Sequence, residues 1–114
     1  SYGGFAAIAA SVRPNSPYQC AIAGAGVGNL AKLSNEWGDN RIQRIVQGDT
    51  VKGMDPQQNT DKVNIPILIY HGDYDVRVPI FHSRDFYNGI KDRQPDSEFI
   101  VYKQMGHQGN KWLL

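Results

Sequence analysis

The sequence predicts an α/β protein built on a parallel sheet of about three strands with flanking helices. Three short apolar runs, near residues 20–25, 66–70 and 98–102, have the length of buried strands. The segments between them show the wider spacing of apolar residues that is typical of helices, as in residues 80–90. Strands that alternate with helices lie parallel in one sheet, because each helix returns the chain to the same edge.

The first half of the chain predicts a helix, a strand and a second helical region. Residues 4–12 are rich in alanine and predict a helix, which the two prolines within residues 13–17 end. The apolar run at 20–25 follows as the first strand and leads into a glycine-rich exit. We expect one or two short helices over residues 30–47 and a loop over residues 48–60.

The second half repeats the alternation. An apolar segment at residues 63–70 contains Pro66, which indicates that the second strand proper begins there. Pro79 then opens a helix over about residues 80–90. The remaining predicted elements are a turn, the third strand and a final helix capped by Asn110, at residues 92–96, 98–102 and 110–114.

Composition excludes several functional classes. The 114 residues suit one domain, and the hydrophobic share of 40% with a charged share of 20% is that of a soluble globular chain. The net charge is +1 and the basic residues are scattered, so no nucleic-acid or anionic-membrane surface is indicated. No apolar run approaches the ~20 residues of a membrane span. We therefore expect neither nucleic acid nor a membrane as a partner.

Three segments carry groups that indicate nucleophilic catalysis. Residues 71–79, His-Gly-Asp-Tyr-Asp-Val-Arg-Val-Pro, follow the second strand, and a Gly-His pair at residues 106–107 follows the third. Residues 1–4, Ser-Tyr-Gly-Gly, match the second half of a G-x-S-x-G nucleophile elbow. The order Ser, Asp, His is that of the α/β-hydrolase fold. All three groups would lie at the carboxyl edge of the strands, where ligands bind in such sheets.

Together with residues 23–27, Ala-Gly-Ala-Gly-Val, these segments resemble the C-terminal part of the catalytic domain of the prolyl oligopeptidase family of serine peptidases. The likeness covers nearly the whole chain and favours the branch of acylaminoacyl peptidases and dipeptidyl-peptidase-like enzymes. It implies that residues 1–114 form part of an α/β-hydrolase catalytic domain whose N-terminal strands, with a β-propeller domain, are missing. It also implies a peptide substrate and no metal or other cofactor.

The resemblance assigns catalytic roles to four residues. Ser1 would be the nucleophile, His107 the general base and then the general acid, and Asp75 the acid that orients the histidine. The backbone N–H of Tyr2 would donate to the oxyanion. Asp73 is the alternative acid, although the family spacing favours Asp75. Without the resemblance, either aspartate is also explained as an ordinary turn residue.

Four further residues match positions that contact substrate in the family. Arg77 would face substrate carbonyl groups, and a surface salt bridge explains an arginine there equally well. Val27, Leu30 and Val78 would line the apolar pocket for the P1 side chain of the substrate. The alternative for these three is ordinary hydrophobic core.

Three other residues are given structural roles. We expect His71 to be hydrogen-bonded near the end of the second strand and His82 to be an exposed helix residue. Cys20 is the only cysteine and has no disulfide partner or metal-ligand spacing. Its place at the front of an apolar run predicts a buried thiol.

The enzyme hypothesis predicts that Ser1, Asp75 and His107 converge. It predicts little or no turnover from the isolated chain, because an upstream oxyanion donor and the strand entering the elbow are missing. The alternative is a non-catalytic truncated fragment that self-associates through exposed sheet edges and apolar helix faces, with another copy or with the missing N-terminal part. A third hypothesis, in which Ser1 uses its own α-amine, is disfavoured by the Asp and His motifs.

Overall fold

The computed structural model describes residues 2–30 and 55–108, and it places the three strands in one parallel sheet of order β1-β2-β3. The strands are β1 (Ala21–Gly24), β2 (Ile67–Gly72) and β3 (Glu98–Tyr102). The helices are α1 (Tyr2–Val12), a 3₁₀ helix (Pro56–Lys62) and α2 (Phe81–Ile90). The predicted α/β class and all three parallel strands are therefore confirmed.

One face of the sheet forms the main core. The register sets Ala23 of β1 beside Ile69 of β2, and Ile69 beside Phe99 of β3, so these residues share a face. Helix α1 packs against β1, and α2 packs against β2 and β3. Burial of each large aliphatic side chain contributes roughly 1.5–3 kcal/mol. The fully buried cluster consists of Ile8, Val12, Ala23, Val63, Ile67, Ile69, Phe86 and Ile90.

The opposite face of the sheet is more open in the described residues. Ile22 is 64% exposed there, and Tyr70 and Ile100 are also exposed. The register sets Gly24 beside Tyr70 and Tyr70 beside Ile100, so this face is lined along its length by residues of all three strands.

Helix α1 lies directly against the exit of β1. It begins at Tyr2, two residues before the predicted start. A Cβ atom on Gly4 would stand only 2.4 Å from the carbonyl oxygen of Gly24 and 2.7 Å from the Cα atom of Gly26. Glycine at positions 4 and 26 therefore permits the close approach that brings the first turn of α1 to the carboxyl edge of the sheet.

The prediction of a loop over residues 48–60 is wrong for the last part of that range, which is helical. Asp55 caps the 3₁₀ helix, because its side chain accepts a hydrogen bond from the N–H of Gln57 at 3.3 Å. Pro56 follows the cap, where its fixed φ suits a first helical position. Residues 31–54 and the final predicted helix lie outside the described residues.

Two predictions of exposure were also wrong. His82 is fully buried rather than exposed, because it lies four and eight residues before Phe86 and Ile90 and shares their face of α2. Cys20 is exposed rather than buried, because it precedes β1 and lies outside the sheet. No helix within the described parts of the chain is long and apolar enough to cross a membrane.

Candidate active site

Asp75 lies in the loop that follows β2, and its carboxylate organises that loop. Its Oδ1 atom accepts hydrogen bonds from the N–H groups of Arg77 and Val78, at 2.9 and 2.8 Å. The residue is 6% exposed, so these two backbone donors replace much of the water that the carboxylate has lost. The other oxygen, Oδ2, is turned toward the neighbouring loop.

His107 lies in the loop that follows β3 and contacts that second oxygen. Its Nδ1 atom stands 2.7 Å from Oδ2 of Asp75, and its side chain retains 14% exposure. An ionised carboxylate only accepts hydrogen bonds, so Nδ1 carries the proton of this contact. With that proton on Nδ1, the lone pair of the neutral form of the ring lies at Nε2, the atom that acts as general base when a histidine is oriented in this way.

Asp73 holds the two loops together by a separate set of bonds. Its N–H donates to the carbonyl oxygen of Tyr102 at 3.1 Å, and the N–H of Tyr74 donates to that of Met105 at 3.0 Å. Its Oδ1 atom accepts the N–H of Gln104 at 2.6 Å, where the backbone is left-handed with φ of 60°. The structure thus gives the two aspartates different contacts, and only Asp75 contacts the histidine.

Electrostatics keep Asp75 ionised. Burial alone would raise the pKa of its carboxyl group, but the hydrogen bond from the N–H of Val78 and the contact with His107 oppose it. The opposing effects prevail, and the pKa of Asp75 lies below its ordinary value of 3.8. The carboxylate is therefore charged at neutral pH and can stabilise a positive charge on His107.

A small apolar cluster connects the acid loop with the start of α1. Val27 and Val78 are buried against each other, and Phe5 and Leu30 pack on them. The N–H of Val78 is bonded to the carboxylate of Asp75, while Phe5 lies in the first turns of α1. The cluster therefore brings the N-terminal end of α1 to the same edge as the acid and the base.

Tyr2 is the first residue of α1, and its ring contacts that of Phe5 at a centroid distance of 5.6 Å. The first N–H groups of an α-helix have no partner within the helix, so the N–H of Tyr2 is not used by α1 itself. The predicted nucleophile, Ser1, lies outside the described residues. The side chain of Arg77 is exposed, and its N–H is one of the donors to Asp75.

The structure also reveals a contact that the sequence did not indicate. The expectation that His71 is hydrogen-bonded at the strand end is confirmed, and one of its partners is the hydroxyl group of Ser83 at 2.6 Å. Ser83 lies three and seven residues before Phe86 and Ile90, so helical spacing alone could have placed it on the buried face. No local pattern, however, pairs it with a particular residue of β2.

Almost the whole length of the chain matches one protein family. The model of the prolyl oligopeptidase family matches residues 1–112. The chain belongs to the prolyl oligopeptidase family. A search among curated proteins gave no significant match.

Solved structures show the same fold as this member of the prolyl oligopeptidase family. A puromycin-hydrolyzing peptidase of Mycobacterium tuberculosis superposes with a TM-score of 0.79 at 19% identity, covering 96% of this chain and 18% of that one. An acylaminoacyl peptidase of Pyrococcus horikoshii gives 0.72 at 22% identity, covering 93% of this chain and 18% of that one. Esterase PE8 gives 0.63 at 19% identity, covering 96% and 40%. The chain thus spans less than a fifth of each of the two peptidases.

Proposed function

We propose that this protein is a serine peptidase that hydrolyses short peptides through an acyl-enzyme, with Ser1, Asp75 and His107 as its triad. The observation that carries the proposal is the 2.7 Å contact between Nδ1 of His107 and Oδ2 of Asp75 at the carboxyl edge of a parallel sheet. Membership of the prolyl oligopeptidase family supports the reaction class. The apolar cluster supports the position of the nucleophile, because it holds the start of α1 beside the acid loop.

In the first step the hydroxyl oxygen of Ser1 attacks the substrate carbonyl carbon, and its proton passes to Nε2 of His107. The resulting imidazolium is stabilised by the charged carboxylate of Asp75. The oxyanion of the tetrahedral intermediate accepts a hydrogen bond from the N–H of Tyr2. Collapse of the intermediate breaks the C–N bond, and His107 returns its proton to the leaving amine.

In the second step a water molecule attacks the acyl ester on Ser1. His107 takes a proton from the water and then gives it to the departing serine oxygen, so that the acid product leaves and the enzyme is restored. Protons are exchanged only among Ser1, His107, the leaving amine and water, while Asp75 stays ionised and the N–H of Tyr2 only donates a hydrogen bond. A second oxyanion donor is required from outside the described residues.

The proposed substrate is a short peptide with an apolar P1 side chain. Val27, Leu30 and Val78 cluster next to the acid loop, where they would form the wall of the P1 pocket. The exposed guanidinium of Arg77 would donate to a substrate carbonyl group. The names of two structural neighbours, an acylaminoacyl peptidase and a puromycin-hydrolyzing peptidase, favour substrates with an aminoacyl amide bond.

The alternative of a non-catalytic fragment that self-associates is not supported by the family match or by the structural neighbours. We therefore favour the peptidase function for the protein.

The test is labelling with a fluorophosphonate probe, followed by intact mass. It should use the longest natural form of the protein that contains this sequence, with the 114-residue chain alongside. We expect one adduct that is lost in Ser1→Ala and slowed in His107→Gln, together with hydrolysis of an aminoacyl anilide. The hydrolysis rates of N-acylated and free-amine anilides then show which of these two kinds of aminoacyl substrate the enzyme prefers. An adduct that persists in Ser1→Ala would overturn the assignment of the nucleophile.

A further inference from the structure

The side chain of His71 is fully buried between the acid loop and α2, and both of its ring nitrogens have partners there. Nδ1 lies 2.6 Å from the hydroxyl oxygen of Ser83, in the first turn of α2. Nε2 lies 2.7 Å from the carbonyl oxygen of Val78 and 3.3 Å from Oδ2 of Asp75. His71 thus connects a helix, a loop backbone and the acid.

These contacts determine which nitrogen of His71 carries the proton. A carbonyl oxygen only accepts hydrogen bonds, so Nε2 donates to Val78. Burial lowers the pKa of His71 below its ordinary value of 6.5, against the opposing effects of the Val78 carbonyl and Asp75. The ring is therefore neutral at neutral pH, and Nδ1 accepts the hydroxyl proton of Ser83. The hydroxyl group of Ser83 could either donate or accept, so the carbonyl oxygen of Val78 sets the tautomer, and Ser83 adds the second hydrogen bond that holds the ring in place.

In the opposite tautomer, with the proton on Nδ1, three hydrogen-bond acceptors would lie close together without a proton between them. The lone pair of Nε2 would then face both the carbonyl oxygen of Val78 and Oδ2 of Asp75. Val78 is hydrogen-bonded through both of its backbone groups, since its carbonyl oxygen accepts from His71 and its N–H donates to Oδ1 of Asp75. Repulsion at its carbonyl oxygen would therefore displace the same loop that orients the carboxylate toward His107.

We propose that His71 and Ser83 are positioning residues for the acid: Ser83 holds the ring of His71 through Nδ1, and His71 fixes Val78 and the Asp75 carboxylate in the orientation that His107 requires. The inference rests on the proposed function, in that Asp75 and His107 are taken as its acid and base. Neither His71 nor Ser83 contacts the reacting atoms.

The chain offers a matched pair of variants. Ser83→Ala removes the donor to His71. Ser97→Ala removes another buried serine with one hydrogen bond, because the hydroxyl oxygen of Ser97 accepts the N–H of Ile67 at 2.9 Å near the start of β2 and β3. Both changes remove one buried hydroxyl group, and only the first lies next to the acid.

We expect Ser83→Ala to lower kcat by roughly 10- to 100-fold, because a small misplacement of a catalytic group by a distant substitution can cost about 10²-fold. KM should change less than kcat, because Val78 is only one of the three residues proposed to line the P1 pocket. The acidic limb of the kcat/KM profile should move to lower pH, since a misaligned Asp75 stabilises the His107 imidazolium less. Ser97→Ala should leave kcat and the acidic limb in place. Equal kcat values and profiles for the two variants would overturn the proposal.

Substitutions of His71 itself give a second comparison. His71→Gln keeps an N–H donor near the position of Nε2, whereas His71→Leu removes it. We expect the glutamine variant to retain more activity than the leucine variant. If the glutamine variant is folded yet no more active than the leucine variant, a role for the donor is contradicted.

Nitrogen-15 NMR of the histidine rings tests the proposal without any activity. The expected result is the Nε2–H tautomer of His71 in both proteins, with the ring signals of His71 shifted in Ser83→Ala because the ring has lost the partner of Nδ1; unchanged signals in Ser83→Ala would contradict the role of Ser83. An Nδ1–H tautomer in the wild type would overturn the inference even if the enzyme is active. Failure of the probe to label the wild type would instead overturn the proposed function, and the ring signals of His71 would still decide whether Ser83 holds the ring.

Discussion

Nδ1 of His107 lies 2.7 Å from Oδ2 of Asp75, although the two residues are 32 positions apart in the sequence. The distance is that of a charge-assisted hydrogen bond. It is maintained by the backbone bonds between the loops after β2 and β3, in which Asp73 and Tyr74 donate to Tyr102 and Met105. The pairing is thus a property of two adjacent parallel strands whose loops are bonded to each other.

Replacing each aspartate by asparagine in turn should show which of the two carboxylates is needed for catalysis. Asp75→Asn should lower kcat by about 10⁴-fold, because an amide favours the wrong tautomer of the histidine. Asp73→Asn should change kcat far less, since its amide oxygen can still accept the N–H of Gln104. Peptide hydrolysis by the two purified variants measures the difference. Comparable losses in both would contradict the assignment of Asp75.

The contact between the two loops can be tested through glycine. A Cβ atom on Gly72 would lie 2.1 Å from the carbonyl oxygen of Met105, whereas one on Gly106 would meet nothing within 4 Å. Gly72→Ala should therefore push the histidine loop away and cost about 1–3 kcal/mol of unfolding free energy. Gly106→Ala is the control and should cost much less. Urea unfolding measures both, and a Gly72→Ala variant as stable as Gly106→Ala would show that the loops are not packed in this way.

The approach of α1 to β1 gives a second glycine pair. Gly4→Ala should destabilise the protein by about 1–3 kcal/mol, because its Cβ would overlap the backbone of Gly24 and Gly26. Gly3→Ala meets no neighbouring atom within 4 Å and should be neutral or stabilising by up to about 1 kcal/mol, since alanine favours the helix. Thermal unfolding of the two variants is the measurement. The reverse order of stabilities would refute the packing of the first turn of α1.

The free energy of unfolding should rise with pH over two separate pH ranges. The pKa of His71 is lower in the folded state than its ordinary 6.5, so below about pH 6.5 the unfolded chain binds a proton that the native ring does not. Stability is therefore lost as the pH falls from 6.5 toward the lower folded pKa. For Asp75, the folded pKa lies below 3.8, and the stability gained from its ionised form is present above that value and lost in acid.

Urea unfolding between about pH 5 and pH 7.5 measures the first of these ranges. One differential proton corresponds to a slope of at most about 1.4 kcal/mol per pH unit. His71→Gln should reduce the slope, because it removes the titrating group, whereas Ser97→Ala should keep the wild-type slope. An unchanged slope in His71→Gln would mean that the native ring takes up the proton as readily as the unfolded chain.

Much of the fold could be predicted because its determinants are local. The three strands were predicted from apolar runs of strand length, from prolines that end helices and from glycines at strand exits. All three strands are present. Predictions failed where the environment came from elsewhere in the chain. His82 is buried because its face of α2 packs on the sheet, and its Nδ1 atom accepts the N–H groups of Gly28 and Asn29 at 3.3 and 3.1 Å.

The sequence by itself determined the chemical groups and their order: an aspartate after the second strand, a histidine after the third, and a family pattern that favours Asp75 over Asp73. Only the tertiary structure decided what each aspartate contacts. Asp73 is hydrogen-bonded to Tyr102 at the end of β3 and to Gln104 in the loop that follows, while Asp75 turns inward onto His107 and the backbone of its own loop. The physical reason is that these hydrogen bonds, like the one between His71 and Ser83, depend on the register of adjacent strands and the packing of a helix, which no local pattern specifies.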